Sequence, residues 1–227
     1  MDVTTKSVRG GVLTREQFLP HEMRIVAALR MQGASDEQVI VRVKSENLFQ
    51  YPTERMVANR ATVCLRRLDA MVPTDAVCAA RGIDPKTVVE AASSLTRLMA
   101  SGTPTQADQA IFYSMICRYD IVRELVLVEV GERLQNFDYA FTAVDLNAFM
   151  TRFTTEYPDA ARWTEATVKR IKGSLRQTLR HAGLIGEGMG PESERLSALF
   201  LDPDIEHALL QLGEQPLVAA LTGRAVI

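Results

Sequence analysis

The sequence predicts a mainly α-helical protein with an N-terminal helix-turn-helix unit, a helical middle, and a C-terminal winged-helix unit carrying a small β-wing. Three observations lead there. Apolar residues recur at three- and four-residue spacing over most of the chain, the period of a helix that buries one flank. Capping residues stand in front of these runs, and glycine or proline behind them. The one strand-like stretch, two short apolar runs around the glycine-rich GEGMGPES, directly follows a strongly basic helix, which is the place of a wing.

The first 14 or so residues read as a flexible lead, and residues 15–70 as the helix-turn-helix unit. Its first helix runs from about Glu22 to Gln32 with Ile25, Val26 and Leu29 on one face and Gly33 as its stop. Ser35 and Gln38 form a capping box in front of Val39, Ile40 and Val43. Beyond the loop ENLFQYP, Thr53 caps a third helix reaching about Leu68. Its core stripe is Val57, Ala61, Cys64, Leu65 and Leu68, and Arg55, Asn59, Thr62 and Arg66 share the opposite side. Arginine and asparagine both make paired hydrogen bonds to base edges, and arginine also clamps phosphates.

Residues 71–140 read as the helical middle. Asp84-Pro85 opens a helix with Val88, Ala92, Leu95 and Met99 that stops at Gly102. Thr105 with Asp108 opens a long apolar helix, or two in series, ending near Leu134. In residues 141–227, Phe141 and Leu146 staple a helix that Thr142 and Asp145 cap and Pro158 ends. Thr164 caps the next one. Leu184-Ile185 and RLSALFLD are expected as the two strands of the wing, and one or two short helices as the tail.

The helix after Trp163, TEATVKRIKGSLRQTLRHA, is the most informative segment. At about 100° per residue, Val168, Ile171, Leu175, Leu179 and Ala182 form one apolar stripe. Lys169, Lys172, Arg176 and Arg180 form a second stripe about 110° away, with Arg170 at its edge. From Arg162 to Arg180 there are six basic residues and a single acid, Glu165, placed in the first turn where the helix dipole favours it. Solvated faces usually mix signs. A buried flank opposite a cationic one is what a DNA-facing helix requires.

Composition restricts how such a surface works. The 227 residues are 47% hydrophobic and 24% charged, with a formal net charge of −2, so attraction to a polyanion has to come from a local patch. Residues from Glu187 to Glu214 include seven acids against Arg195 alone. Cys64, Cys78 and Cys117 lie far apart without metal-ligand spacing, and the three histidines belong to no catalytic or metal motif. No phosphate-binding loop is present, and the glycines of GLIGEGMG lack the strand-loop-helix setting of a dinucleotide site. No catalytic residue, metal or cofactor is therefore expected. The leading MDVTTKSVRGG has no apolar signal-peptide core, and charges interrupt the stretch from Ile111 to Val130, so a cytoplasmic protein without a membrane span is expected.

Three blocks, HEMRIVAALRMQGASDEQVIVRVKSENLFQ, SMICRYDIVRELVLVEVGERL and WTEATVKRIKGSLRQTLRHAGLI, occur in this order. Together they resemble the BrxA family, the A component of bacterial BREX phage-exclusion systems, over roughly residues 20 to 200. Members are described both as DNA-binding proteins built on winged-helix units and as NusB-like RNA-binding antitermination factors. The resemblance thus implies a component of anti-phage defence and other BREX proteins as partners, but no assigned functional residues. Helix geometry supplies the candidates: Arg162, Lys169, Arg170, Lys172, Arg176 and Arg180 at one end, Arg55, Asn59, Thr62 and Arg66 at the other. Double-stranded DNA is the expected ligand, held mainly through phosphates and with low sequence preference. The alternatives are RNA, which the lack of aromatics in the basic stripe disfavours, and a scaffold whose basic helix docks an acidic partner protein.

Overall fold

Local capping chemistry sets most helix starts in the computed structural model, which describes residues 8, 9, 13, 17–186 and 194–224. Helix α1 (Pro20–Met31) begins on a proline, which has no N–H to satisfy. At α2 (Asp36–Ser45), Ser35 and Gln38 cap each other's backbone N–H groups. Thr53 caps α3 (Glu54–Ala70) by accepting from the Met56 N–H. Helix α4 (Asp75–Arg81) occupies a stretch for which no element is expected; it makes about two turns and is ended by Gly82 at φ 65°. Helix α5 (Pro85–Ser101) starts at Asp84-Pro85. Helix α6 (Pro104–Arg118) begins one residue before the expected Thr105, because Thr103 and Gln106 make the reciprocal box instead.

The chain forms two compact units, neither continuous in sequence. One comprises residues 18–118 and 201–214. In it α1 packs against α3, α5 and α6, α2 packs on α3, and α11 (Pro203–Gln211) covers α5 and α6. Met23, Val26, Ala61, Leu95, Met99, Ile111 and Met115 are fully buried there. A single buried cation, Arg67, donates to the Phe18 carbonyl at 3.1 Å. Buried Glu22 accepts from the Tyr51 hydroxyl, and burial together with that carboxylate pushes the phenol up to about 12.

The other unit comprises residues 1–17, 119–200 and 215–227. The apolar run to Leu134 is indeed two helical pieces in series. After the extended residue Tyr119, α7 (Asp120–Glu124) passes through a π-helical segment (Leu125–Val130) into α8 (Gly131–Gln135). The remaining helices are α9 (Ala143–Glu156), α10 (Glu165–His181) and α12 (Gln215–Thr222), with α12 packed on the π segment and α8. A Cβ at Gly131 would lie 2.7 Å from that of Ala220, so only glycine allows this approach. Near the start of the chain, Arg9 exchanges bonds with the Asp120 backbone and carboxylate, and Leu13 is buried.

The expected β-wing is not formed as strands among the described residues. Ile185 and Leu196 make one isolated antiparallel bridge, and Ala140 and Arg195 another. The physical reason lies in the backbone donors of 196–199, which serve three different neighbours in turn. Leu196 donates to Tyr139, Ser197 to Leu184 and Leu199 to Leu221. Successive N–H groups of a strand face opposite sides, and on each side here the pairing stops after a single bridge, too short for a ladder. The loop from 187 to 193, which carries most of GEGMGPES, lies outside the described residues.

At the head of α9, Thr142 and Asp145 form the expected capping box, and Arg133 adds a 2.7 Å ion pair to the Asp145 carboxylate. Burial pushes this carboxyl up, but the hydrogen bonds from Thr142 and the Arg133 guanidinium outweigh it and hold the pKa below the ordinary value. A depressed folded-state pKa gives stability that is present above the unfolded value and lost as pH falls through the folded one. Native chain is therefore expected to lose stability as pH drops below about 4, with a smaller acid-side loss in Asp145→Asn, as read by thermal melts across pH. Glycine substitutions separate packing from propensity. Gly131→Ala should destabilise by about 1–3 kcal/mol through overpacking, whereas Gly173→Ala, in open space within α10, should stabilise by up to about 1 kcal/mol. Urea unfolding midpoints at constant m-value would show the opposite signs.

Candidate nucleic-acid interface

Helix α10 folds as its pattern requires. Thr164 caps it through the Thr167 N–H at 3.2 Å, and Glu165 lies in the first turn. Ile171, Leu175 and Leu179 are buried, while Val168 and Ala182 at the stripe's ends are half-buried. Each fully buried aliphatic chain is worth about 2 kcal/mol, so this flank fixes the rotation of the helix and hence where its cations point. Trp163, just before the cap, stacks on Phe153 of α9 at 6.0 Å between ring centroids.

The cationic flank divides in two. Lys169, Arg170 and, just upstream, Arg162 are exposed and have no carboxylate partner among the described residues. Lys172 is half-buried and donates to the Asn147 side-chain carbonyl of α9 at 2.6 Å. Arg176 and Arg180 both pair with Glu194, whose side chain is 0% exposed. Arg176 Nε lies 2.7 Å from Glu194 Oε2, and its side chain is only 20% exposed, against 46% for Arg180. The expectation of a continuous stripe free to meet phosphate is corrected at these two arginines. A carboxylate removed from water has to be neutralised, and Glu194 draws both guanidiniums to itself. The acid-rich stretch after the helix was visible in the sequence, but nothing local showed which of its acids turns back onto α10.

Helix α3 keeps its polar side open. Arg55, Asn59 and Arg66 are exposed without a charged partner among the described residues, while Thr62 is half-buried and donates to the Ala58 carbonyl at 2.9 Å. The opposite flank, Val57, Ala61, Cys64, Leu65 and Leu68, is buried. Lys44 of α2 is 3.2 Å from Glu54 at the helix start. Burial pushes the Cys64 thiol up to about 12, which leaves it a core residue without thiolate chemistry. Among the described residues no group of histidines, cysteines and carboxylates has the arrangement to hold a metal ion, and no helix is long and apolar enough to cross a membrane.

The family model BrxA matches residues 11–213 of the chain. The chain is similar to the BREX protein BrxA of Escherichia coli O9:H4 (strain HS), 19% identical over 214 residues, which cover 94% of this chain and 90% of that protein. It is also similar to the crystal structure of an uncharacterized protein from Magnetospirillum magneticum, with a TM-score of 0.71 at 16% identity, covering 93% of this chain and 96% of that one. At such identity the second likeness speaks for the fold alone.

Removing Glu194 should leave two guanidiniums facing each other, one of them mostly buried. Glu194→Ala is therefore expected to destabilise the chain by about 3 kcal/mol. Arg180→Ala, which removes the half-exposed partner and keeps Arg176 in place, should cost about 1 kcal/mol or less. Urea titrations of the two variants beside the native chain test this order.

Proposed function

The chain belongs to the BrxA family, and from that premise we propose that it serves a BREX defence system as a non-enzymatic, double-stranded DNA-binding component. The observation that supports this is the set of cations left without carboxylate partners, among the described residues, on helices whose other flanks are buried. These are Arg55 and Arg66, with Asn59 between them, on α3, and Arg162, Lys169 and Arg170 at α10. On α3, read as the groove-facing third helix of a three-helix unit, the N-terminal half would meet the major groove. Arg55 and Asn59 lie in that half. Lysine and arginine dominate over amides, so the contact is mainly to phosphate and its sequence preference is low. Other BREX proteins are the natural partners of such a component. Arg176 and Arg180 are held against Glu194, which supports leaving the phosphate contacts to the outer cations in this reading.

Duplex binding then weakens with salt in proportion to the phosphates engaged. Each contact contributes about −0.9 to the slope of log K against log salt. Reversing two charges on α3 (Arg55→Glu with Arg66→Glu) should make the slope shallower by about 1.8, and Lys169→Glu with Arg170→Glu by the same amount. Fluorescence anisotropy of a labelled duplex over several salt concentrations reads these slopes. A native chain that leaves duplex DNA unbound at low salt would overturn the proposal in favour of a protein-docking surface. An unchanged slope in one double variant would remove that helix from the interface.

A further inference from the structure

A cleft of about 440 Å³ opens in the unit that contains α10, lined among others by Phe137, Asp138, Tyr139, Thr142, Glu194 and Arg195. Its most unusual wall is Phe137. This residue ends α8 in a Schellman turn, with the Phe137 N–H donating to Leu134 and the Asp138 N–H to Arg133. That position takes a left-handed backbone and is normally glycine; here it is phenylalanine at φ 57°. A bulky side chain in this region is strained by roughly 1–2 kcal/mol, and burial does not compensate, because Phe137 is 77% exposed. Strain and exposure in one side chain at the mouth of a cleft are the marks of a group held ready for a ligand.

The chemistry of the remaining walls selects the ligand. The Arg195 guanidinium lies over the Tyr139 ring, 6.0 Å from its centroid, exposed and without a carboxylate partner among the described residues. Of the two carboxylates of the cleft, Glu194 is paired with both Arg176 and Arg180, and Asp138 shares the Arg133 guanidinium, 2.5 Å away, with Asp145. Among the described residues, Arg195 is then a cation of the cleft without a carboxylate, beside the rings of Phe137 and Tyr139. An aliphatic anchor from a partner protein would desolvate the exposed Arg195 and the half-exposed Asp138 without replacing their water contacts. A nucleotide fits instead, its base against the rings and its phosphate against the cation.

We propose that this cleft binds an unstacked base of single-stranded DNA, with Phe137 as the stacking face and Arg195 meeting the adjoining phosphate. The choice of nucleic acid rests on the proposed DNA-facing role of α10, and the cleft adds to it a site for bases that a paired duplex does not present.

Three probes separate these claims: a labelled ten-nucleotide dT strand, an abasic strand of the same length, and a fully paired duplex. The native chain is expected to bind dT about tenfold more tightly than the abasic strand. Phe137→Gly, which removes the ring and the backbone strain together, should bring dT binding down to the abasic level while leaving the fold at least as stable in urea. Phe137→Trp should retain dT binding, Arg195→Ala should weaken both strands, and none of the three should alter duplex affinity. Equal native affinity for dT and abasic strands, or native-like dT binding by Phe137→Gly, overturns the inference. Loss of duplex binding alone, with dT binding and its Phe137 dependence intact, overturns the proposed duplex function and leaves this site standing.

Discussion

One buried carboxylate organises the surface of this protein. Glu194 is entirely removed from solvent, and two guanidiniums from consecutive turns of α10 meet it there. A lone carboxylate in that position would be several kcal/mol too costly to keep charged. The pairing therefore ties the segment from 194 onward to α10, and the backbone bonds from Leu196, Ser197 and Leu199 to three separate neighbours follow from that anchoring. It also places Arg195, the next residue, over Tyr139 beside Phe137.

This arrangement changes what the basic helix offers. Counting charges along α10 suggests one cationic ridge. In the folded chain the C-terminal half of that ridge is consumed internally, and Lys172 is engaged with Asn147. Lys169 and Arg170 on the N-terminal half remain outward, with Arg162 just upstream. On α3 no comparable carboxylate among the described residues turns back onto the polar side, and Arg55, Asn59 and Arg66 are exposed. Two modest cationic faces carry the proposed binding, which suits a chain whose net charge is −2 and whose attraction to DNA has to be local.

Burial raises the Cys64 thiol to about 12, and the two tyrosines raised to about 12, Tyr51 and Tyr157, owe this to burial and to the carboxylates of Glu22 and Glu124 that accept from them. These groups hold helices together as neutral donors. In the proposed reading, guanidinium and ammonium groups serve phosphates and aromatic faces serve bases.

The mainly helical fold and most of its boundaries were legible in the sequence because they depend on neighbours a few positions apart. The Ser35–Gln38 and Thr142–Asp145 boxes, the Asp84-Pro85 start and the apolar flanks of α3 and α10 are all set within one or two turns. Residues that share a helix face do so whatever the rest of the chain does. Three features escaped this logic. The backbone at Phe137 is left-handed without the glycine that would signal it. The wing stayed at isolated bridges because its pairing through Ser197 and Leu184 ends after one bridge, while Leu196 and Leu199 donate to Tyr139 and Leu221. Arg176 and Arg180 lost their freedom to Glu194, an acid beyond the end of their own helix. Periodicity and caps are local and survive in a string of letters; which carboxylate neutralises which cation depends on distances in space, and only the folded chain sets those.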